Sequence, residues 1–455
     1  MTKIVVCSGE PSGDAMVREL VPALRGRFGP DLRLRVLTSS PIAEVEEHEI
    51  LCDAPEPVLG DSVAGAQRWR PVLKKVWEIM AADPPDLFIA IAHHGFNFIL
   101  AAELAALEGA GTRALMVAPP EVWAWDVRLW MRTLGPPLRL FAKQNQSVPW
   151  ILQAMLNRGR STLQLFDALA CLFEQNLAAY RHLAQKHASD AHIVRVGHEF
   201  ARYGDAALQE SLREKGRAMR ESLASLPEDL LIGLFPGSRE AEVAHMLPIM
   251  LEGVARLRER FGERLKLVAA ASDDRRAMQI RQILEERTQA DSTAPPTLVT
   301  GQAEEVLSAI DFGLMCSGTV TLLAASLGRP GIVVYDRGWG LTRTLLAKLL
   351  LRRGRVSAER NADEVAFALP SAVVGERVFR ELAMRQVQPE NVARAMAELI
   401  EDEGAGERMR ELQQRLLERL CPSPPEHGYG RATDSPMQRV AELGAWLLTG
   451  SAERA

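Results

Sequence analysis

Leu231-Ile232-Gly233-Leu234-Phe235-Pro236-Gly237-Ser238-Arg239-Glu240-Ala241-Glu242-Val243 carries the strongest structural signal in the chain. An apolar run of strand type stops at Pro236-Gly237, and a charged amphipathic helix begins at once. Such a junction aims backbone N–H groups, a hydroxyl and a guanidinium at one point, which suits a phosphate or diphosphate. Arg239 adds a permanently charged planar fork able to grip two phosphate oxygens together. The motif lies mid-chain, where it opens a second α/β domain rather than a first.

Outward from this junction, the pattern repeats. Residues 230–235, 265–271, 298–301, 312–316 and 331–335 read as buried strands with helices between them. Upstream, 4–8, 32–37, 87–92 and 114–118 read the same way, separated by helical patterns such as 15–27 and 67–82. This alternation predicts parallel, doubly wound sheets. Two Rossmann-like domains are expected, residues 1–200 and 205–425, facing each other across a cleft. The tail 392–420 reads as one long charged helix, broken by Pro422-Ser423-Pro424-Pro425. A last helix, within 436–450, is expected to pack back on the first domain. The stretch 135–160, with Pro136-Pro137 and Pro149, receives no element.

At 455 residues the chain exceeds one ordinary core. It is 47% hydrophobic and 25% charged, as soluble globular proteins are. A net charge of −5 gives no global basic field, so nucleic acid is not an expected partner. Cys7, Cys52, Cys171, Cys316 and Cys421 are scattered and lack CxxC spacing, and read as buried small apolar residues in a reducing compartment. The first residues run directly into a strand, and no apolar run of about 18 residues is present. The expectation is therefore a cytoplasmic protein without signal peptide or membrane span.

Four further loops could carry chemistry. Ser8-Gly9-Glu10-Pro11-Ser12-Gly13-Asp14 follows the first strand but is not GxGxxG, so a dinucleotide is disfavoured. Asp14 either caps the following helix or joins Glu10 and Ser12 on a polyhydroxy substrate, with Gly13 allowing close approach. Cys316-Ser317-Gly318-Thr319-Val320-Thr321 repeats the strand-to-helix junction, with hydroxyls and N–H groups suited to an oxyanion. Two such loops in one domain favour a nucleoside diphosphate. His93 and His94, in Ile91-Ala92-His93-His94-Gly95-Phe96-Asn97, are either general-base candidates or hydrogen-bonded loop histidines. Trp123 and Trp125 suit stacking on sugars or acyl chains, or edge packing. The stretch 337–355 interleaves leucines and Trp339 with six cations, and reads either as a membrane-interface helix or as a domain-packing one.

Together these motifs resemble the lipid-A-disaccharide synthase family. The matching residues are 8–14, 122–125, Val196-Gly197-His198, Phe235-Pro236-Gly237-Ser238-Arg239 with Glu242-Val243, and Ser317-Gly318-Thr319-Val320-Thr321-Leu322. Leu369-Pro370, Gly375 and Glu381-Leu382 complete the set. The resemblance implies a GT-B fold and an inverting glycosyltransferase that joins UDP-2,3-diacylglucosamine to 2,3-diacylglucosamine 1-phosphate, releasing UDP. It implies no metal or other cofactor. The donor would meet Gly237, Ser238, Arg239, Glu242, Ser317, Gly318, Thr319 and Thr321. The acceptor would meet Glu10, Ser12, Gly13, Asp14, Asn97 and Trp123. Acylated substrates imply peripheral contact with the inner face of the inner membrane. A homodimer is admitted but not specified by the sequence. Two departures stand out. Where the family carries Asp-x-Pro-Asp-Phe-Asn, this chain has Ala92-His93-His94-Gly95-Phe96-Asn97, leaving His93 or His94 as the base. Where the family has Thr-Leu-Glu, with the Glu on the donor ribose, this chain has Thr321-Leu322-Leu323. They admit other readings: a weakly active or inactive paralogue that binds a sugar nucleotide or lipid, a transferase with a changed donor or acceptor, or a sugar-nucleotide epimerase or hydrolase of the same fold.

Overall fold

The computed structural model describes residues 1–9, 11–38, 49–51, 63–92, 94–120, 158–223, 226, 228–288, 295–336, 367–421 and 434–450. The chain divides into two compact units, one of Met1–Glu199 with Leu420–Ala455 and one of Phe200–Arg419.

The first unit contains β1 (Lys3–Cys7), α1 (Pro11–Phe28), β2 (Arg33–Leu37), β3 (Glu49–Ile50), α2 (Val63–Ala82), β4 (Leu87–Ile91) and α3 (His94–Ala106). β5 (Arg113–Val117), α4 (Arg158–Leu165), β6 (Ala168–Cys171), α5 (Glu174–His187) and β7 (His192–Arg195) follow. Its sheet is parallel, in the order β3-β2-β1-β4-β5-β6-β7. β4, Leu-Phe-Ile-Ala-Ile, is buried at every position, because helices cover both faces of a central parallel strand and leave no place for a polar residue.

The second unit opens with α6 (Ala206–Leu223), then runs β8 (Leu230–Phe235), α7 (Glu240–Phe261), β9 (Leu265–Ala271), α8 (Asp274–Thr288), β10 (Thr297–Thr300) and α9 (Ala303–Ala309). It continues through β11 (Phe312–Cys316), α10 (Thr319–Ser326), β12 (Gly331–Tyr335), α11 (Leu369–Val374), β13 (Arg380–Ala383), α12 (Pro389–Ile400) and α13 (Ala405–Leu420). Its parallel sheet runs β10-β9-β8-β11-β12-β13. α14 (Pro436–Thr449) belongs to the first unit and packs on α1 and β5. It starts where Ser435 and Gln438 exchange a capping box, at 3.3 and 2.7 Å, with Pro436 at the first helical position.

The two doubly wound sheets are as the apolar alternation predicts; four details differ. β13, Arg-Glu-Leu-Ala, escapes an apolar-run reading because it is a short edge strand with an exposed start. The expected single helix over 392–420 is two helices, α12 and α13, since the Asp402 side chain accepts the Gly404 N–H at 3.1 Å and turns the chain. Asp14 lies inside the first turn of α1 rather than at its N-cap, because the helix begins at Pro11. Cys7, Cys171 and Cys316 are buried as expected, but Cys421 is exposed just past α13. Cys52 lies outside the described residues. Among those residues no helix is long and apolar enough to cross a membrane.

Candidate functional site

In each sheet the strand that comes first in the chain lies inside, with the next strand in sequence on one side and a later strand on the other. In the second unit that reversal falls between β8 and β11, and in the first between β1 and β4. Open α/β sheets bind ligands at the carboxyl ends of strands where the winding reverses. All four loops singled out in the sequence, apart from the tryptophan loop, leave strands bordering these points.

In the second unit Phe235 pairs with Met315, so the loops 236–239 and 317–319 rise side by side. Their closeness shows in the Cys316 thiol. Burial pushes it up, the Glu242 carboxylate pushes the same way, and Arg239 and the Ser317 N–H oppose them.

Glu242 is the centre of the first loop. It is 4% exposed, and its Oε2 accepts the Ser238 and Arg239 N–H groups at 3.2 and 3.3 Å. Its Oε1 accepts from Arg239 Nη1 at 2.8 Å. Two N–H groups expected to meet a ligand are thus held by the chain's own carboxylate. The signal lay in the sequence: a Glu three residues after the N-cap is the acidic half of a capping box. The arrangement fixes the loop and aims the Arg239 side chain, which remains 26% exposed.

Gly237 makes room for this. Its φ is +115°, and a Cβ there would lie 2.6 Å from Glu242 Oε2 and 2.7 Å from the Glu242 Cβ. Gly237→Ala is expected to cost about 2 kcal/mol or more, from left-handed backbone strain plus the clash. Thermal melting would read this as a fall of several degrees in Tm. An unchanged Tm would show that the loop accommodates the methyl group.

In the second loop Ser317 is half-buried while Gly318 and Thr319 are exposed at the start of α10. Thr321 is buried and its hydroxyl donates to the Gly318 carbonyl at 2.8 Å. It braces the turn instead of opening toward a ligand. Leu323 is buried in α10.

At the first unit's reversal, Asn97 is fully buried, and its Nδ2 donates to the carbonyls of Ala92, Ile91 and Cys7 at 2.9, 3.2 and 3.4 Å. It ties the ends of β1 and β4 together from beneath. Ser8 and Asp14 are also buried, and a Cβ on Gly13 would come within 2.4 Å of Ser8 Oγ. Ser12 is the half-buried member of this group. Ala92 has φ +46°, a left-handed conformation costly for alanine and easier for Asp or Asn. His94 is the first residue of α3. Glu10, His93 and Trp123 lie outside the described residues, as does the stretch 337–355.

One pair was missed. His245, on α7, and Asp336, immediately after β12, meet with Nε2 and Oδ2 3.0 Å apart. Ninety-one positions separate them, so no local motif could reveal the contact. Among the described residues no group of three or more His, Cys, Asp and Glu could hold a metal ion.

The family pattern described as lipid-A-disaccharide synthetase matches residues 195–423. A lipid-A-disaccharide synthase of Myxococcus xanthus is 28% identical over 397 residues, covering 86% of each chain. That of Dechloromonas aromatica is 27% identical over 419 residues, covering 90% of this chain and 92% of its own. Among solved structures, Staphylococcus aureus MnaA with UDP superposes with a TM-score of 0.53 at 12% identity, covering 98% and 97%. The calicheamicin glycosyltransferase CalG4 gives 0.51 at 15% identity, covering 98% of both chains. These likenesses establish a GT-B fold.

Proposed function

This chain belongs to the lipid-A-disaccharide synthetase family and is a glycosyltransferase, and on that premise we propose the reaction it catalyses. It transfers a 2,3-diacylglucosaminyl group from UDP to 2,3-diacylglucosamine 1-phosphate, with inversion at the anomeric carbon. The observation that carries the donor assignment is the adjacency of loops 236–239 and 317–319 at the β8/β11 reversal. MnaA, which shares the fold, was solved with UDP, and this supports nucleotide binding by this chain.

The chemistry follows from charge. As the bond from the anomeric carbon to the phosphate oxygen breaks, the electron pair stays with UDP. Arg239 and the N-terminal end of α10 stabilise that charge without a metal. The acceptor hydroxyl gives its proton to His93 or His94, and its oxygen forms the new bond from the opposite face. Asn97, tied to three carbonyls, positions the loop that carries these histidines. The six cations within 337–355 suit an anionic membrane surface, where acylated substrates reside.

A second reading has its own observation. Ala92 keeps a left-handed backbone that suits Asp, yet has no carboxylate. A paralogue that binds a sugar nucleotide without transfer would show this. Incubating the full chain with both substrates decides the matter. UDP, a disaccharide of the expected mass and an inverted anomeric configuration are the expected products. Binding of UDP with no turnover would leave the paralogue reading standing and remove the transferase one.

A further inference from the structure

A cavity of about 540 Å³ opens within the first unit at the amino ends of β5, β6 and β7. The loops 8–14 and 91–97 leave the opposite, carboxyl ends of that unit's strands. Small-ligand sites span roughly 300–1,000 Å³, so the volume suits a compact organic molecule. Leu104, Leu163, Phe166 and Leu447 are buried and form an apolar floor. His192 and Trp446, edge to face with ring centroids 4.0 Å apart, add an aromatic wall. Ala105 and Asp190 are exposed at the rim.

Helices that cover a parallel sheet run against its strands, so they end where strands begin. α3, α4, α5 and α14 all bring their carboxyl ends to this cavity. Ala105, Leu165 and Gly450 line it, as does Asp190 just past α5. A helix carboxyl end carries about half a negative charge on its unsatisfied carbonyls. Such ends favour Lys, Arg or His, yet α3, α4 and α14 have none in their last turns. α5 has Lys186 and His187 there, and neither lines the cavity. Among the described residues that line it, Arg113 is the only Lys or Arg, and Asp167 engages it. Arg113 Nη1 donates to Asp167 Oδ1 at 2.8 Å, while Oδ2 accepts the Ala114 N–H at 2.8 Å. Asp190 adds a second carboxylate. The helix ends, two carboxylates and one guanidinium leave surplus negative charge beside an apolar floor.

We infer that this cavity binds a small organic cation. Its ammonium or guanidinium group lies toward Asp190 and the helix ends, and its apolar body rests on Leu104, Phe166 and Leu447. Aromatic rings such as that of Trp446 attract cations as well as apolar groups. The site lies on α3, which has Ala105 in the cavity and His94 at its other end. It is independent of the donor reading, since all its residues belong to the first unit.

The probes 4-phenylbutylamine, 4-phenylbutanol and 4-phenylbutyrate share one apolar body and differ in charge. Each is titrated into the full chain at about pH 7, where an alkylamine is protonated. The readout is the Trp446 indole N–H resonance, identified by its loss in Trp446→Phe. The amine is expected to bind about tenfold more tightly than the alcohol, and the carboxylate more weakly than either. Asp190→Asn should weaken the amine about threefold and leave the alcohol unchanged, the scale of an exposed ion pair. Ala105→Trp should fill the mouth and abolish binding of all three. Both substitutions fall on exposed positions, where the fold tolerates them. Equal affinity for amine and carboxylate, a Trp446 resonance that does not move, or unchanged amine affinity in either variant overturns the inference.

Discussion

Replacing His93 and His94 together by alanine is expected to lower kcat for transfer by about 10²–10⁴-fold, the usual contribution of a positioned base. KM for the donor should change little, because these residues lie in the first unit and the loops proposed to hold the donor lie in the second. The single variants assign the role: only the residue that takes the proton should reproduce the loss. Adding Ala92→Asp to the double variant should restore part of the rate. Ala92 already holds the left-handed backbone that Asp tolerates better than Ala does. The restored enzyme should stay active at lower pH, since a carboxylate loses its proton below an imidazole. Steady-state kinetics against pH measure all of this. An undiminished rate in the double variant would remove both histidines from the chemistry.

The second large effect concerns Arg239. Arg239→Ala should weaken UDP binding by about 10²-fold, the scale of a charge-assisted, bidentate contact. Arg239→Lys should recover only part, because an ammonium cannot reproduce the planar fork. Loss of the guanidinium also leaves the Glu242 carboxylate, 5% exposed at its side chain, with fewer donors. Some loss of stability is therefore expected as well. Melting curves separate the two: the affinity loss should persist well below Tm. Equal UDP affinity in wild type and Arg239→Ala would place the diphosphate elsewhere.

The elements legible in the sequence were those with long apolar runs. β4 and β8 declare themselves because central parallel strands must be apolar on both faces. β13 does not, since Arg380 is exposed at its start and the buried Glu381 is satisfied by the Ser371 hydroxyl and the Phe367 and Ala368 N–H groups. The loops 236–239 and 317–319 were legible because Gly237 and Gly318 punctuate strand-to-helix junctions that recur at one reversal. What those loops do internally was less legible. Thr321 and Ser317 look alike in sequence, yet one hydroxyl is turned onto the Gly318 carbonyl inside the fold. Asn97 likewise read as a ligand contact and is a buried tie between two strand ends. His245 and Asp336 were invisible because only the tertiary fold brings α7 to the end of β12.

The account stands on a diphosphate seated between two loops of the second unit. A crystal structure of the chain with UDP bound tests that claim most directly. The expected result is the diphosphate within hydrogen-bonding reach of the Arg239 guanidinium and of Thr319 at the start of α10, with Glu242 still capping the Ser238 and Arg239 N–H groups. UDP bound away from the β8/β11 reversal, in a crystal where both loops are open to solvent, would contradict it.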